Sequence, residues 1–401
     1  MCLLHREIYK SPTLLPFIPI MWRLIVIVAA VAWGQVVFVA EMCRHGSRAP
    51  ITLYPWDEDG RWSNGAGELS YVGMRQHFLL GSELRQRYIV EDPVLSPSYT
   101  ATQVYFRSTD VNRTLMSAQS QLMGLYPQGT GPKLPLEEAF TAVPPITVEN
   151  ENEIISFLDS KALIYQSQAV PIHTLPGSED LVLQAGDSCQ LLSENIDALE
   201  HTAQYIQTAT SNPAVIQTIQ TLLNTTTMGA VHQLSSVVDD LICNQFVGNE
   251  LPEEATESFM QGARTVFNQL FALPYQTDQN ARLFSSGFFL ELAEVLQAVS
   301  EGTEKNKFRL YSAHDTTIAG ILAGLQAYNN QQPPFASTLI FEAYVQNYAM
   351  YVDVKYNDQT LSLPGCPSPC SISAFITFLQ QRAYPNLEEV CEGSGIRGFL
   401  S

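Results

Sequence analysis

Positive charge is scarce in this sequence. Against 40 aspartates and glutamates there are only 21 lysines and arginines, a formal net charge of -19 over 401 residues. Such a chain repels polyphosphate backbones and anionic headgroups at neutral pH, so nucleic acid and anionic membrane are not expected as partners. Charged residues amount to 15% and form no run of one sign, which makes the acidity a solubility property rather than a binding tail. Long apolar runs are also missing. The stretch Leu24 to Ala32 is roughly 10 residues, well short of the ~20 that span a bilayer, and no other stretch is long enough, so no stable membrane anchor is expected. Histidine and cysteine number 7 each, and the Cys366-x3-Cys370 pair has no second Cys or His pair at ligand spacing. No metal and no cofactor are expected.

What is present at the N-terminus is a targeting signal. Arg23 precedes the apolar stretch, and small residues at Ala30, Ala32 and Gly34 suit cleavage, so residues 1–34 read as a signal peptide, with Met21 an alternative start. The protein is therefore expected in the secretory pathway, either secreted or in the lysosomal lumen. That compartment is oxidising, so the cysteines become candidate disulfides. Cys2 leaves with the signal, and Cys366 and Cys370 frame a Pro-Ser-Pro loop short enough for a local staple. Asn112 and Asn224 carry acceptor sequons for glycosylation, and Asn224, in a polar Thr-rich stretch, is the stronger of the two.

The pattern along the rest of the chain is strand, polar loop, helix. Val36 to Ala40 is a short continuous apolar run, which suits a strand buried on both faces. Gln103 to Arg107 reads as a strand and Asp110 as the N-cap of a helix with Val111, Leu115, Ala118 and Leu122 on one stripe. Lys307 to Ala313 reads as a third strand, followed by His314-Asp315-Thr316-Thr317 and a helix. Two more strands follow at Leu339 to Tyr344 and Met350 to Tyr356. The expectation is an α/β fold: a doubly wound, mostly parallel sheet with helices on both faces and an inserted, mainly helical cap. Residues 35–165 and 300–401 form the sheet domain, and 166–299, with continuous helical stripes such as Leu192, Ile196, Leu199, Ala203 and Ile206, form the cap.

The segment Arg44-His45-Gly46-Ser47-Arg48-Ala49-Pro50 carries the chemistry. A phosphoryl group spreads negative charge over three oxygens, so a site for it needs rigid guanidinium donors and one nucleophile in line with the leaving oxygen. Arg44 and Arg48 supply donors, and Gly46 lets the backbone turn beneath the anion. This segment resembles the signature of the histidine acid phosphatases, the second branch of the histidine phosphatase superfamily. Arg107-Ser108-Thr109-Asp110 with Arg113-Thr114-Leu115-Met116, and Ser312-Ala313-His314-Asp315-Thr316, resemble its further segments. Pro171-Ile172-His173-Thr174 and Leu363 to Cys370 are similar to the prostatic and lysosomal members. The resemblance implies that His45 is the nucleophile, that Arg44, Arg48, Arg107 and His314 hold the phosphoryl oxygens, and that Asp315 protonates the leaving alcohol. It also implies disulfides Cys189 to Cys391 and Cys366 to Cys370, and leaves Cys243 a free thiol because its partner position holds Thr338.

The remaining candidates read as structural. His5, His77, His173, His201 and His232 are assigned to structural or surface roles. Arg75, Arg85, Arg87 and Arg113 are assigned to solvated helix faces or supporting ion pairs, and Cys43 to a small buried residue. The expected function is hydrolysis of small phosphate monoesters through a phosphohistidine. The alternatives are a phytase or lysophospholipid phosphatase of the same family, or a secreted binding protein that keeps the fold without turnover. A homodimer is a further option for assembly.

Overall fold

The computed structural model describes residues 34–57 and 60–393. The expected signal peptide up to position 33, with Cys2 and His5, and the last 8 residues of the 35–165 and 300–401 domain lie outside them.

Seven strands form one sheet in the order β2-β3-β1-β4-β5-β6, with β7 also on β5. They are β1 (Gln35–Arg44), β2 (Val104–Ser108), β3 (Phe308–Ala313), β4 (Thr338–Gln346), β5 (Ala349–Tyr356), β6 (Gln359–Thr360) and β7 (Cys370–Ser371). β1 is apolar without a break because both its faces are covered. Phe38, Ala40 and Met42 enter one core and Val39 enters the other, as the two-residue period of a strand requires.

The sheet is mixed rather than mostly parallel. Only β2-β3 and β3-β1 run parallel, while β1-β4, β4-β5, β5-β6 and β5-β7 are antiparallel. The cause is local. Asn347 and Tyr348 turn β4 into β5 with φ of 50° and 63°, and Asn357 and Asp358 turn β5 into β6 with φ of 46° and 64°, the left-handed pairs that tight hairpins need. The three parallel strands carry the polar loops.

Helices α1 (Tyr71–Arg85) and α2 (Asn112–Leu125) cover one face through Leu84, Ala118, Leu122 and Leu125. After α3 (Gln190–Leu199), whose Leu192 packs in one cluster with Phe284 and Cys391, four helices build a separate apolar core: α4 (Ala203–Ala209), α5 (Pro213–Leu223), α6 (Thr227–Val247) and α7 (Glu257–Ala272). The stripe from Leu192 to Ile206 is not one helix. Thr202 breaks it, its hydroxyl accepting from Tyr205 N–H to start α4. The other face of the sheet is covered by α8 (Asp278–Ser300), α9 (Asp315–Gly324) and α10 (Ile372–Arg382). By length and composition α8 could cross a membrane, contrary to the expectation that nothing after the signal could. Its Phe288, Phe289, Leu292 and Leu296 are instead buried on the sheet.

Cys189 and Cys391 form a disulfide across 202 residues, and Cys366 and Cys370 form the local one. Cys43 and Cys243 are free and buried. Asn224 is exposed just after α5, in a left-handed turn with φ 46°.

Candidate active site

The C-terminal ends of β1, β2 and β3 lie side by side, with β3 in the middle, and the loops leaving them are tied to it. His45 N–H donates to Ala313 O at 2.9 Å, and Thr109 N–H to Ser312 O at 3.1 Å. The loop after β1 is fixed further by Gly46 N–H to Ser117 Oγ, 3.1 Å, and Ser47 N–H to Gln76 Oε1, 2.8 Å. Gly46 is required for a different reason from the one its sequence suggests. A Cβ there would lie 2.5 Å from the carbonyl oxygen of Gly73, so the glycine lets the loop pack on the first turn of α1.

His45 is 2% exposed. Its Nδ1 lies 2.8 Å from the Gly46 carbonyl, an acceptor only, so Nδ1 carries the proton and Nε2 presents its lone pair. Burial, then Arg44, His314, Arg48 and Arg113, hold the imidazole well below its ordinary pKa, and it stays neutral in acid. Arg44 donates to Pro333 O and to Asp315 Oδ2, the latter at 2.9 Å, and stacks 4.2 Å from the Phe335 ring centroid. Arg48 forks onto Asp239 of α6 at 2.9 and 3.0 Å. The ring centroid of His314 is 5.7 Å from that of His45. Its Nε2 meets Thr109 Oγ1 at 3.0 Å and its Nδ1 meets Arg113 Nη2 at 3.4 Å.

Arg44, His45, Arg48, His314 and Asp315 therefore converge as the sequence suggests. Arg107 does not join them. It lies beside Tyr311 on the α8 face of the sheet, where its guanidinium binds Asp180 at 2.6 Å and Glu291 at 3.2 Å. Arg113, read from sequence as a solvated or supporting residue, occupies the place expected of Arg107. Burial and the charges of Arg48 and Arg44 push its pKa down to about 10, and among the described residues no carboxylate pairs with it. The Nε–H groups of Arg44, Arg48 and Arg113 are buried without a partner. Clustered guanidinium groups with bare donors form a cradle for an anion. One signal could have found Arg113: a cation in the first turn of a helix opposes the helix dipole, which is unfavourable unless an anion sits there.

Asp315 starts α9. Burial raises its pKa, but Arg44, Arg48, His314 and the Gln332 amide together hold it below its ordinary value, so in the free site it is ionised. Asp110 is not the N-cap of α2. Val111 takes that position without a side-chain bond, because the preceding residues are turned to offer Thr109 to His314 and to Thr114 Oγ1, 2.7 Å away. His77 is buried rather than superficial. It links Arg44 O, at 3.0 Å, to Gln121, which bonds Glu41 at 2.7 Å and accepts from the Cys43 thiol. Glu41 is fully buried and its pKa is raised to about 8, chiefly by burial, so it is protonated in acid. Cys43 and Cys243 are both buried thiols with raised pKa values, and Cys243 Sγ lies 3.4 Å from Arg48 Nη1. His173 stacks on Tyr105, and His201 and His232 are exposed.

Residues 35–357 match the histidine phosphatase superfamily (branch 2), and the chain belongs to that family. Among named relatives, lysosomal acid phosphatase of Homo sapiens is 30% identical over 369 residues, covering 88% of this chain and 80% of the relative. Prostatic acid phosphatase of Rattus norvegicus is 30% identical over 355 residues, covering 85% of each. A solved phytase from Klebsiella sp ASR1 shares the fold with a TM-score of 0.62 at 18% identity, over 87% of this chain and 96% of that one.

Proposed function

We propose that the protein is an acid phosphatase, a phosphoric monoester hydrolase that works through a phosphohistidine on His45. The observation that carries this is the neutral His45 ring, Nε2 free, ringed by Arg44, Arg48 and Arg113 with unused buried donors. The three guanidinium groups and His314 hold the phosphoryl oxygens while Nε2 attacks phosphorus. The P–N bond forms as the P–O bond to the alcohol breaks, and the alcohol oxygen takes a proton from Asp315. Water then attacks the phosphohistidine, gives its proton to Asp315 and releases phosphate and neutral His45.

Asp315 is ionised in the free site and must gain its proton with the substrate. A phosphomonoester, whose second pKa is ~6, is a monoanion in acid and brings that proton. The dianion left behind offsets the arginines that keep Asp315 acidic. An acid optimum follows.

Within the helical insert expected over residues 166–299, helices α4 to α7 form their own core and supply Asp239 to Arg48, whereas its last helix, α8, packs on the sheet. The protein works in the secretory pathway, secreted or in the lysosome, as a glycoprotein at Asn224 without a stable anchor. A homodimer is supported by an apolar surface on the segment Leu136, Phe140, Ile146 and Phe157, which are 61 to 89% exposed. p-Nitrophenyl phosphate should be hydrolysed at pH ~5 with EDTA present, since arginines supply the positive charge, and vanadate should inhibit. No hydrolysis would leave the binding-protein reading, and loss of the rate in EDTA would require a metal.

A further inference from the structure

Three consecutive peptide groups of the loop after β1 are held by α1 and α2: Arg44 O by His77, Gly46 N–H by Ser117 and Ser47 N–H by Gln76. The first of these bonds fastens the peptide that joins Arg44 to His45. It ends a buried chain. Glu41 Oε2 meets Gln121 Nε2 at 2.7 Å, Gln121 Oε1 meets His77 Nδ1 at 3.0 Å, and His77 Nε2 meets Arg44 O at 3.0 Å. Glu41, His77 and Gln121 are all 0% exposed, and Glu41 Oε1 is buried without a partner. Protons must be assigned along this chain. Arg44 O only accepts, so His77 Nε2 carries a proton. Gln121 Oε1 also only accepts, so Nδ1 must carry one too, which sets an imidazolium against a Glu41 carboxylate with no water to solvate either. An amide has the same shape turned end for end. The turned amide completes the chain with the same number of protons and no charge: Glu41 O–H donates to Gln121 Oε1, Gln121 N–H to His77 Nδ1, and His77 Nε2–H to Arg44 O. Cys43 Sγ, 3.5 Å from the other end of the amide, then accepts its second N–H. Burial selects this neutral form, because it raises the Glu41 pKa to about 8 and lowers that of His77 to about 4.

We propose that Glu41 is a positioning residue for phosphoryl transfer: its carboxyl proton orients the Gln121 amide, which fixes the His77 tautomer that holds the Arg44–His45 peptide in place. The inference rests on the phosphatase reading and adds a residue to it. Glu41 touches no substrate and acts only through Arg44 and His45. When Glu41 ionises, the Gln121 N–H turns to the carboxylate and Oε1 turns to His77. The single proton of His77 then serves Gln121 or Arg44 but not both, and one link of the chain opens. The other titratable or charged groups around Glu41 are Cys43 on β1, Arg87 and Tyr88 just after α1, and Glu342 on β4. Tyr88 gives its O–H to Glu342, which also pairs with Lys355, and Arg87 is paired with Glu83 and Asp358. On β3 and β4 the residues level with Glu41 are Leu310 and Ile340, which give it no partner.

Glu41→Gln keeps a donor without the titration, and Glu41→Leu removes the donor at similar size. With p-nitrophenyl phosphate at pH ~5, Glu41→Gln should stay within about twofold of the parent kcat, and Glu41→Leu should lose on the order of tenfold in kcat with KM little changed, because small misplacements of reacting groups act on the transition state. The ratio of parent to Glu41→Gln kcat should be level in acid and fall as pH rises through about 8. Effects of Asp315 and of substrate ionisation are common to both proteins and cancel in that ratio. A third readout needs no variant: in the ¹⁵N spectrum of the histidine-labelled parent protein at pH ~5, His77 should be neutral with its proton on Nε2. A folded Glu41→Leu protein with the parent kcat would overturn the proposal and leave Glu41 a core residue. A ratio still level at roughly pH 9, or an imidazolium at His77 at pH ~5, would overturn it too. Failure of the parent protein to turn over p-nitrophenyl phosphate would remove the phosphatase reading and the positioning role with it, whereas normal turnover by Glu41→Leu marks the failure as one of this chain alone.

Discussion

Arg113→Ala and Arg107→Ala should fail in opposite ways. Arg113 is a partly buried guanidinium beside Arg44 and Arg48 without a carboxylate partner among the described residues, so it adds little to stability, and its loss relieves repulsion. Its work comes when an oxyanion arrives. Removing one preorganised donor of this kind costs about 10²–10³ in rate, and kcat/KM for Arg113→Ala should fall by that factor with the melting temperature unchanged or raised. Arg107 instead neutralises Asp180, which is 0% exposed. Stripping the partner from a buried carboxylate costs ~3–5 kcal/mol. Asp180 Oδ1 keeps backbone donors from Val182 and Leu183, at 3.1 and 2.9 Å, which puts the cost near the lower end. That is a large share of the ~5–15 kcal/mol by which a folded domain is stable. Arg107→Ala should therefore melt well below the parent protein, yet its folded fraction should turn over p-nitrophenyl phosphate within a few-fold of the parent rate. Asp180→Asn in the same chain should recover part of the lost stability. Calorimetry and steady-state kinetics on the same preparations separate the two effects. If folded Arg107→Ala loses a hundredfold in kcat/KM while Arg113→Ala keeps its rate, the phosphate cradle has been drawn around the wrong arginine.

Asp315→Ala should slow alkyl phosphates far more than p-nitrophenyl phosphate, because a poor leaving group needs the proton and p-nitrophenolate does not. Equal losses on both would make Asp315 a residue that only positions Arg44. Glu41 predicts a pH dependence of stability. Its folded pKa, about 8, lies above the unfolded ~4.3, so its contribution is intact in acid and is lost as pH rises through about 8. Asp240, also raised to about 8, chiefly by burial, acts in the same direction. Glu41→Gln should gain stability relative to the parent as pH rises from about 4.5 to 8, and parallel melting curves across that range would contradict the burial argument.

The parts of the site that lie next to one another in sequence were legible there. Arg44, His45 and Arg48 share one loop, and His314 with Asp315 sit where a strand meets a helix. The role of Arg107 depends on which face of β2 it occupies, which its place in the motif does not reveal. The two-residue alternation turns it toward Glu291 on α8, and Arg113 reaches the cradle only because α2 begins after Val111, later than Asp110 suggests. Asp239 was invisible, since it is 191 residues from Arg48 and nothing in α6 marks it. The mixed sheet has a related cause: the strand, loop, helix rhythm holds for β1 to β3 and stops at β4 and β5, where the Asn347-Tyr348 and Asn357-Asp358 turns make hairpins.

Rapid mixing with a radiolabelled phosphomonoester, followed by quenching into alkali, tests covalent catalysis most directly. The account predicts a burst of acid-labile, alkali-stable label that maps to His45 and is absent in His45→Ala, together with turnover. Label on another residue, or a His45→Ala protein that hydrolyses substrate at the parent rate, would contradict it.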